Sequence, residues 1–169
     1  MEIIQGILTR RSIRKYSERE ITKEQIYALV KAGMYAPSAR NQQPWHFVII
    51  DERELLNKIS DIHPYAKMLR EAKWAIIVCG DEQPELSKGY WVVDCSAATQ
   101  NILLAAHGSG LGAVWLGLHP REERKNGIKD LLQLPGNIQP LSLISIGYPN
   151  EEKKQPERFK MERIHHNQW

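Results

Sequence analysis

The stretch WAIIVCG, residues 74–80, limits the fold more than any other part of this chain. It is apolar without a break and stops at a glycine, which suits a strand buried on both faces. A helix makes the matching demand. The segment 91–107, WVVDCSAATQNILLAAH, is apolar or small nearly all round, and such a helix belongs in a core. At 169 residues the chain is long enough to build one sizeable core around both.

The remaining elements follow from local patterns. Ile3, Ile4, Ile7 and Leu8 share one helical face, so the chain opens with a short amphipathic helix. Thr22 and Gln25 form a capping-box pattern, with Ile21 and Ile26 placed as a hydrophobic staple. Ile26, Leu29, Val30 and Ala32 or Gly33 continue that helix's buried face, and Pro37 ends it. WHFVII (45–50), AVWLGL (113–118) and LSLISIG (141–147) read as strands, ERELLNKI as a short helix, and REERKNGIKDLLQL as another. Residues 148–169 are mostly polar and show no clean period. No repeat, linker or low-complexity segment interrupts the chain, so the expectation is a single mixed α+β domain over 1–169.

Several functions lack their signatures. The net charge is +3, with no long basic run of the kind a general nucleic-acid binder carries. His46, His63, His107, His119, His165 and His166 are scattered without metal-ligand spacing, so no metal is expected. No GxSxG nucleophile elbow is present. HGSGLG (107–112) looks like a dinucleotide fingerprint, but here the helix precedes the glycines and the strand follows. Gly108, Gly110 and Gly112 read better as a helix C-cap and a tight turn. Cys79 and Cys95 form no CxxC pair and lie in apolar surroundings, as buried reduced thiols would. The opening MEIIQGILTRR has an acidic second residue and too short an apolar run for a signal peptide. No stretch reaches membrane-spanning length, and the expectation is a soluble cytoplasmic protein.

Two dense motifs remain. RRSIRKYS (10–17) places Arg10, Arg11, Arg14 and Lys15 within six positions. Arg10 and Arg11 could simply complement the first helix's C-terminal dipole. That end of a helix repels anions, so a phosphate here would need side chains: a guanidinium fork and the Ser12 hydroxyl. The loop APSARNQQPWHF (36–47) offers Ser38, Asn41, Gln42 and Gln43 between prolines, a composition suited to a flat heterocycle with carbonyls and ring nitrogens.

Together, RRSIRKYS and APSARNQQPWHFVII resemble the FMN-dependent nitroreductase family, of which this would be a short-chain member. DCSAATQNILLAAHGSGLGAVWLGLHP looks like that family's central helix, turn and strand, and SLISIGYPNEEKKQPER like its last core strand and basic phosphate contact. The resemblance implies a three-layer fold, a central mixed or antiparallel sheet flanked by helices, in an intertwined homodimer with FMN at the interface. It implies that Arg10, Ser12 and Arg158 meet the FMN phosphate and that Arg11 contributes mainly backbone and ring-edge contacts. Arg14 would stand near the pyrimidine edge, where positive charge favours the reduced ring. Pro37, Ser38, Ala39 and Asn41 would approach from the partner subunit. Leu116 and Gly117 would run past the flavin with a main-chain N–H near N5. The tail, about 148–169, would reach toward the partner.

The activity implied is ping-pong reduction of nitroaromatics, quinones or related acceptors by NADH or NADPH, with no catalytic side chain required. The short 50–74 connection leaves little room for helices covering the substrate pocket, and Lys67 is the nearest counterpart to a lysine often found by the flavin carbonyls. Heterocycle dehydrogenation, flavin reduction, or FMN binding without turnover are the alternatives on the same scaffold. A phosphate or nucleic-acid binding module would leave PSARNQQP without a purpose.

Overall fold

In the computed structural model, which describes residues 2–83 and 87–169, the apolar run lies at the centre of the sheet. β2 (Trp74–Asp81) is buried from Trp74 to Gly80. β1 (Trp45–Ile50) and β4 (Ile138–Gly147) pair with its two edges, and β3 (Gly112–Gly117) pairs with β4. The order is β1-β2-β4-β3, and every pairing is antiparallel.

Alternation along β2 supplies two cores. Trp74, Ile76 and Val78 point to one face, where α2 (Lys23–Met34) and α4 (Trp91–Gly108) bring Ile26, Leu29 and Ile102. Ala75, Ile77 and Cys79 point to the other, where α3 (Arg53–Ile62) and α5 (Glu122–Leu132) bring Leu56, Ile59 and Ile128. Each fully buried Leu or Ile contributes roughly 1.5–3 kcal/mol, so a strand that is apolar on both parities specifies three layers. At the start of α2 the capping box is complete: Gln25 N–H donates to Thr22 Oγ1 (3.3 Å) and Thr22 N–H to Gln25 Oε1 (2.9 Å).

Two expectations about burial change. α1 (Ile3–Thr9) forms, but its apolar face is open: Ile3 is 78% exposed and Ile4 68%. α4 is buried on its inner side only, because Val93 and Gln100 face outward. From Glu152 to Trp169 the tail is exposed, the turn at Met161–Arg163 included, and Phe159, Met161 and Ile164 are uncovered.

Gly110 (φ 76°) makes the turn after α4, as the motif implies. Gly112 has a different purpose. A Cβ there would stand 2.7 Å from Ile13, and one on Gly147 would collide with the Tyr16 ring. Gly112 and Gly147 are register partners across β3 and β4, so together they form a flat bed on which residues 13–16 lie. Burial pushes the Cys79 and Cys95 thiols up to about 12, so both are inert, and they are unlinked. Among the described residues no helix is long and apolar enough to cross a membrane.

Candidate functional site

The basic segment is fastened along the open edge of β3. Ser12 bridges Ala113 in parallel, and Ile13 N–H donates to the Ala113 carbonyl (3.1 Å). Farther on, Ser17 N–H donates to Tyr148 O (2.9 Å) and Asn150 N–H to Lys15 O (2.9 Å). Tyr16 is buried, its hydroxyl within reach of the Ile13 (2.9 Å) and Ser145 (3.2 Å) carbonyls. Glu151 accepts from the N–H groups of Arg14 (2.6 Å) and Lys15 (3.3 Å) and pairs with Lys153 (2.7 Å). The backbone is thus held by its own partners, which leaves the arginine side chains for other work.

One of those side chains, Arg10, lies within reach of Arg11 and of Arg158 from the tail. Burial and the neighbouring charges of Arg11 and Arg158 pull the Arg10 guanidinium below the ordinary arginine value. Among the described residues none of Arg10, Arg11, Arg14 and Arg158 pairs with a carboxylate. Arg11 turns back on the chain, donating to Arg10 O (2.5 Å) and Lys154 O (3.3 Å). It also lines a cleft of about 400 Å³ with Thr9, His107 and Lys153. His107 accepts or donates at Thr9 Oγ1 (2.9 Å), and burial with the charges of Arg10 and Arg11 lowers its pKa. Clustered guanidiniums repel one another, and with no carboxylate on them among the described residues such a cluster suits an anion.

The rest of the open edge is ready for a hydrogen-bonding plane. Leu118 N–H donates inward to Leu141 O (3.0 Å), while the Ala113 carbonyl accepts outward from Ile13. Alternation along an antiparallel strand then points the main-chain groups of Trp115 and Gly117 outward. The Gly117 carbonyl takes His63 Nε2 (3.1 Å) and Arg124 Nη1 (3.1 Å), and no described residue takes its N–H. Ala113 and Gly117 are about 13 Å apart at strand rise, with Leu116 buried between them.

The loop lies elsewhere. Pro37, Ser38, Ala39 and Asn41 lead into β1, the edge strand at the opposite side of the sheet from β3, and the first three pack against the start of α4. Asp94, 3% exposed on α4, accepts from Ala39 N–H (3.0 Å) and Gln42 Nε2 (2.7 Å). Ser38 Oγ accepts from Gln43 N–H (3.0 Å), and Asn41 Oδ1 from Gln43 Nε2 (2.8 Å). Arg40, Asn41 and Gln43 all adopt positive φ. One chain therefore brings Arg10, Ser12, Leu116, Gly117 and Arg158 toward one edge and does not bring the loop residues to them. Lys67 is exposed at the start of the Lys67–Arg70 turn.

Sequence reasoning missed His63, Arg124, Asp94 and Glu151. Only Asp94 carried a visible signal, as the lone charge in an otherwise apolar helix. No group of His, Cys, Asp and Glu among the described residues could hold a metal.

A sequence profile described as the Nitroreductase family matches residues 7–63 and 62–148. A protein of Archaeoglobus fulgidus, provisionally named an NADH dehydrogenase/NAD(P)H nitroreductase, is 50% identical over 99% of this chain and 99% of its own. A crystal structure from Parabacteroides distasonis under the same provisional name superposes with a TM-score of 0.95 at 43% identity, covering 99% of this chain and 98% of that one. A provisionally named nitroreductase from Desulfovibrio desulfuricans, solved in complex with FMN, gives 0.86 at 30% identity, covering 100% and 98%.

Proposed function

The chain belongs to the nitroreductase family, and from that premise we propose an FMN-dependent oxidoreductase that draws on NADH or NADPH and reduces nitroaromatics, quinones or related acceptors. One observation carries the reading: an arginine cluster with no carboxylate partner among the described residues heads an open strand edge that ends in an N–H no described residue takes. The residues fit FMN at both ends, with cations for a phosphate and a main-chain donor for a flat heterocycle. When bound, FMN would supply the redox chemistry between the nicotinamide and the acceptor, and the residues below would hold and orient it.

In this reading Arg10, Ser12 and Arg158 hold the phosphate. Arg11, with its guanidinium folded onto the chain, shapes the backbone around it. Arg14, exposed and with no carboxylate partner among the described residues, serves the pyrimidine edge, and Leu116 and Gly117 pass N5. Pro37, Ser38, Ala39 and Asn41 come from a partner subunit, because their own chain ties them to the start of α4 ahead of β1, the edge strand opposite β3. A homodimer also accounts for the bare apolar faces of α1 and α4 and for the tail, whose Phe159, Met161 and Ile164 need cover. Two buried thiols agree with a reducing cytoplasm.

The test is a visible spectrum of freshly purified protein, recorded anaerobically before and after NADH or NADPH, with light scattering on the same sample. A flavin spectrum that bleaches, in a dimer, is the expected result. A flavin that stays oxidised would leave a binder without turnover. A colourless protein that takes up no added FMN would overturn the reading.

A further inference from the structure

We infer that His63 and Arg124 are a positioning pair that fixes Gly117 at the end of β3, and through it the main-chain N–H proposed to meet the flavin. This rests on the FMN reading above.

His63 caps the end of α3 and is 1% exposed. Its Nδ1 accepts from Tyr65 N–H (3.2 Å), so in the neutral ring the proton sits on Nε2, which faces Gly117 O at 3.1 Å. Arg124, in the first turn of α5, donates Nη1 to the same oxygen at 3.1 Å. Its guanidinium also lies over the Tyr65 ring, 5.5 Å from the centroid. Both lone pairs of one carbonyl are therefore taken by side chains from two helix ends. Burial, and then Arg124, hold the His63 pKa below the usual histidine value, which keeps the ring neutral beside a cation 3.5 Å away.

The need for such a pair follows from position and residue type. Gly117 is the last residue of an edge strand, with no side chain to pack and no neighbouring strand outside it. In an extended residue N–H and C=O project to the same edge, so pinning the carbonyl aims the N–H. A carbonyl merely kept satisfied would need one donor, and a loss there would change stability alone.

The measurement is FMN affinity and two-electron midpoint potential for the FMN-loaded protein and for His63→Phe, His63→Gln and Arg124→Met. A donor at N5 serves the oxidised ring, which offers a lone pair there, more than the reduced ring, whose N5 carries hydrogen. Removing either member of the pair should weaken oxidised FMN about tenfold more than reduced FMN. That ratio raises the potential by about 30 mV. His63→Gln, which keeps a donor, should recover most of the shift. Should His63→Phe fail to fold, the half-buried Arg124 carries the test. Variants that bind FMN with an unchanged or lowered potential would overturn this inference and leave the cofactor assignment standing. An unmodified protein that binds no FMN would overturn both.

Discussion

Asp94 and Glu151 each hold one segment, Asp94 through a main-chain N–H and a side-chain amide and Glu151 through two main-chain N–H groups, and they do so in different settings. Asp94 is 3% exposed, accepts from Ala39 and Gln42, and has no ion-pair partner among the described residues. Its loop contains three non-glycine residues at positive φ, each costing roughly 1 kcal/mol or more. Glu151, its side chain 12% exposed, shares its charge with the more exposed Lys153. Its segment is also held by strand pairing to Ala113 and Pro149, by buried Tyr16, and by the bed at Gly112 and Gly147. A strained loop thus depends on one buried charge, whereas an extended segment spreads its fastening over many contacts. The second segment is held without a carboxylate on the Arg10 or Arg14 guanidinium among the described residues.

Asp94→Ala tests the comparison hardest. It strands the Ala39 N–H and the Gln42 amide, and urea denaturation should show a loss of about 3 kcal/mol. A loss no larger than that of a Glu151 variant would break the comparison. Arg10→Ala sharpens it from the ligand side. Losing charge-assisted contacts worth about 2 kcal/mol should weaken FMN binding roughly 30-fold by fluorescence titration. The same variant removes a like charge from Arg11 and Arg158, so the apoprotein should be no less stable. Equal FMN retention would count against Arg10 as a phosphate ligand.

Glu151→Gln should have the smallest effect, below about 1 kcal/mol at neutral pH. Lys153 first, then the Arg14 N–H, hold this carboxyl below its ordinary value of 4.5. Its stabilisation is therefore present above pH 4.5 and fades as pH falls through the lowered folded value. Wild-type and Glu151→Gln denaturation curves should converge in that acid range. A difference that stays constant with pH would remove the charge from the explanation.

Much of the fold was legible because its signals are local. The capping box at Thr22 and Gln25, the two-sided apolar run of β2 and the stop after α4 at Gly110 each depend on neighbours a few residues apart. The basic segment was legible too, since four cations in six positions with no acidic neighbour stand out. Gly112 was misread as a turn residue, because its reason is Ile13, ninety-nine positions away in the chain. His63 gave no signal, since a histidine is marked by the oxygen it faces, and Gly117 is fifty-four residues distant.

By itself, then, the sequence determined which segments are helices and strands, which of them must be buried, and where cations collect. Periodicity, capping and charge density are properties of near neighbours, and they hold before the chain has any shape. Tertiary structure alone decided that β3 is an edge with unclaimed groups, that two glycines meet beneath residues 13–16, and that the loop stands across the sheet from the arginines. Those facts follow from strand order, which is set by burying both faces of β2 at once, and no local pattern encodes it.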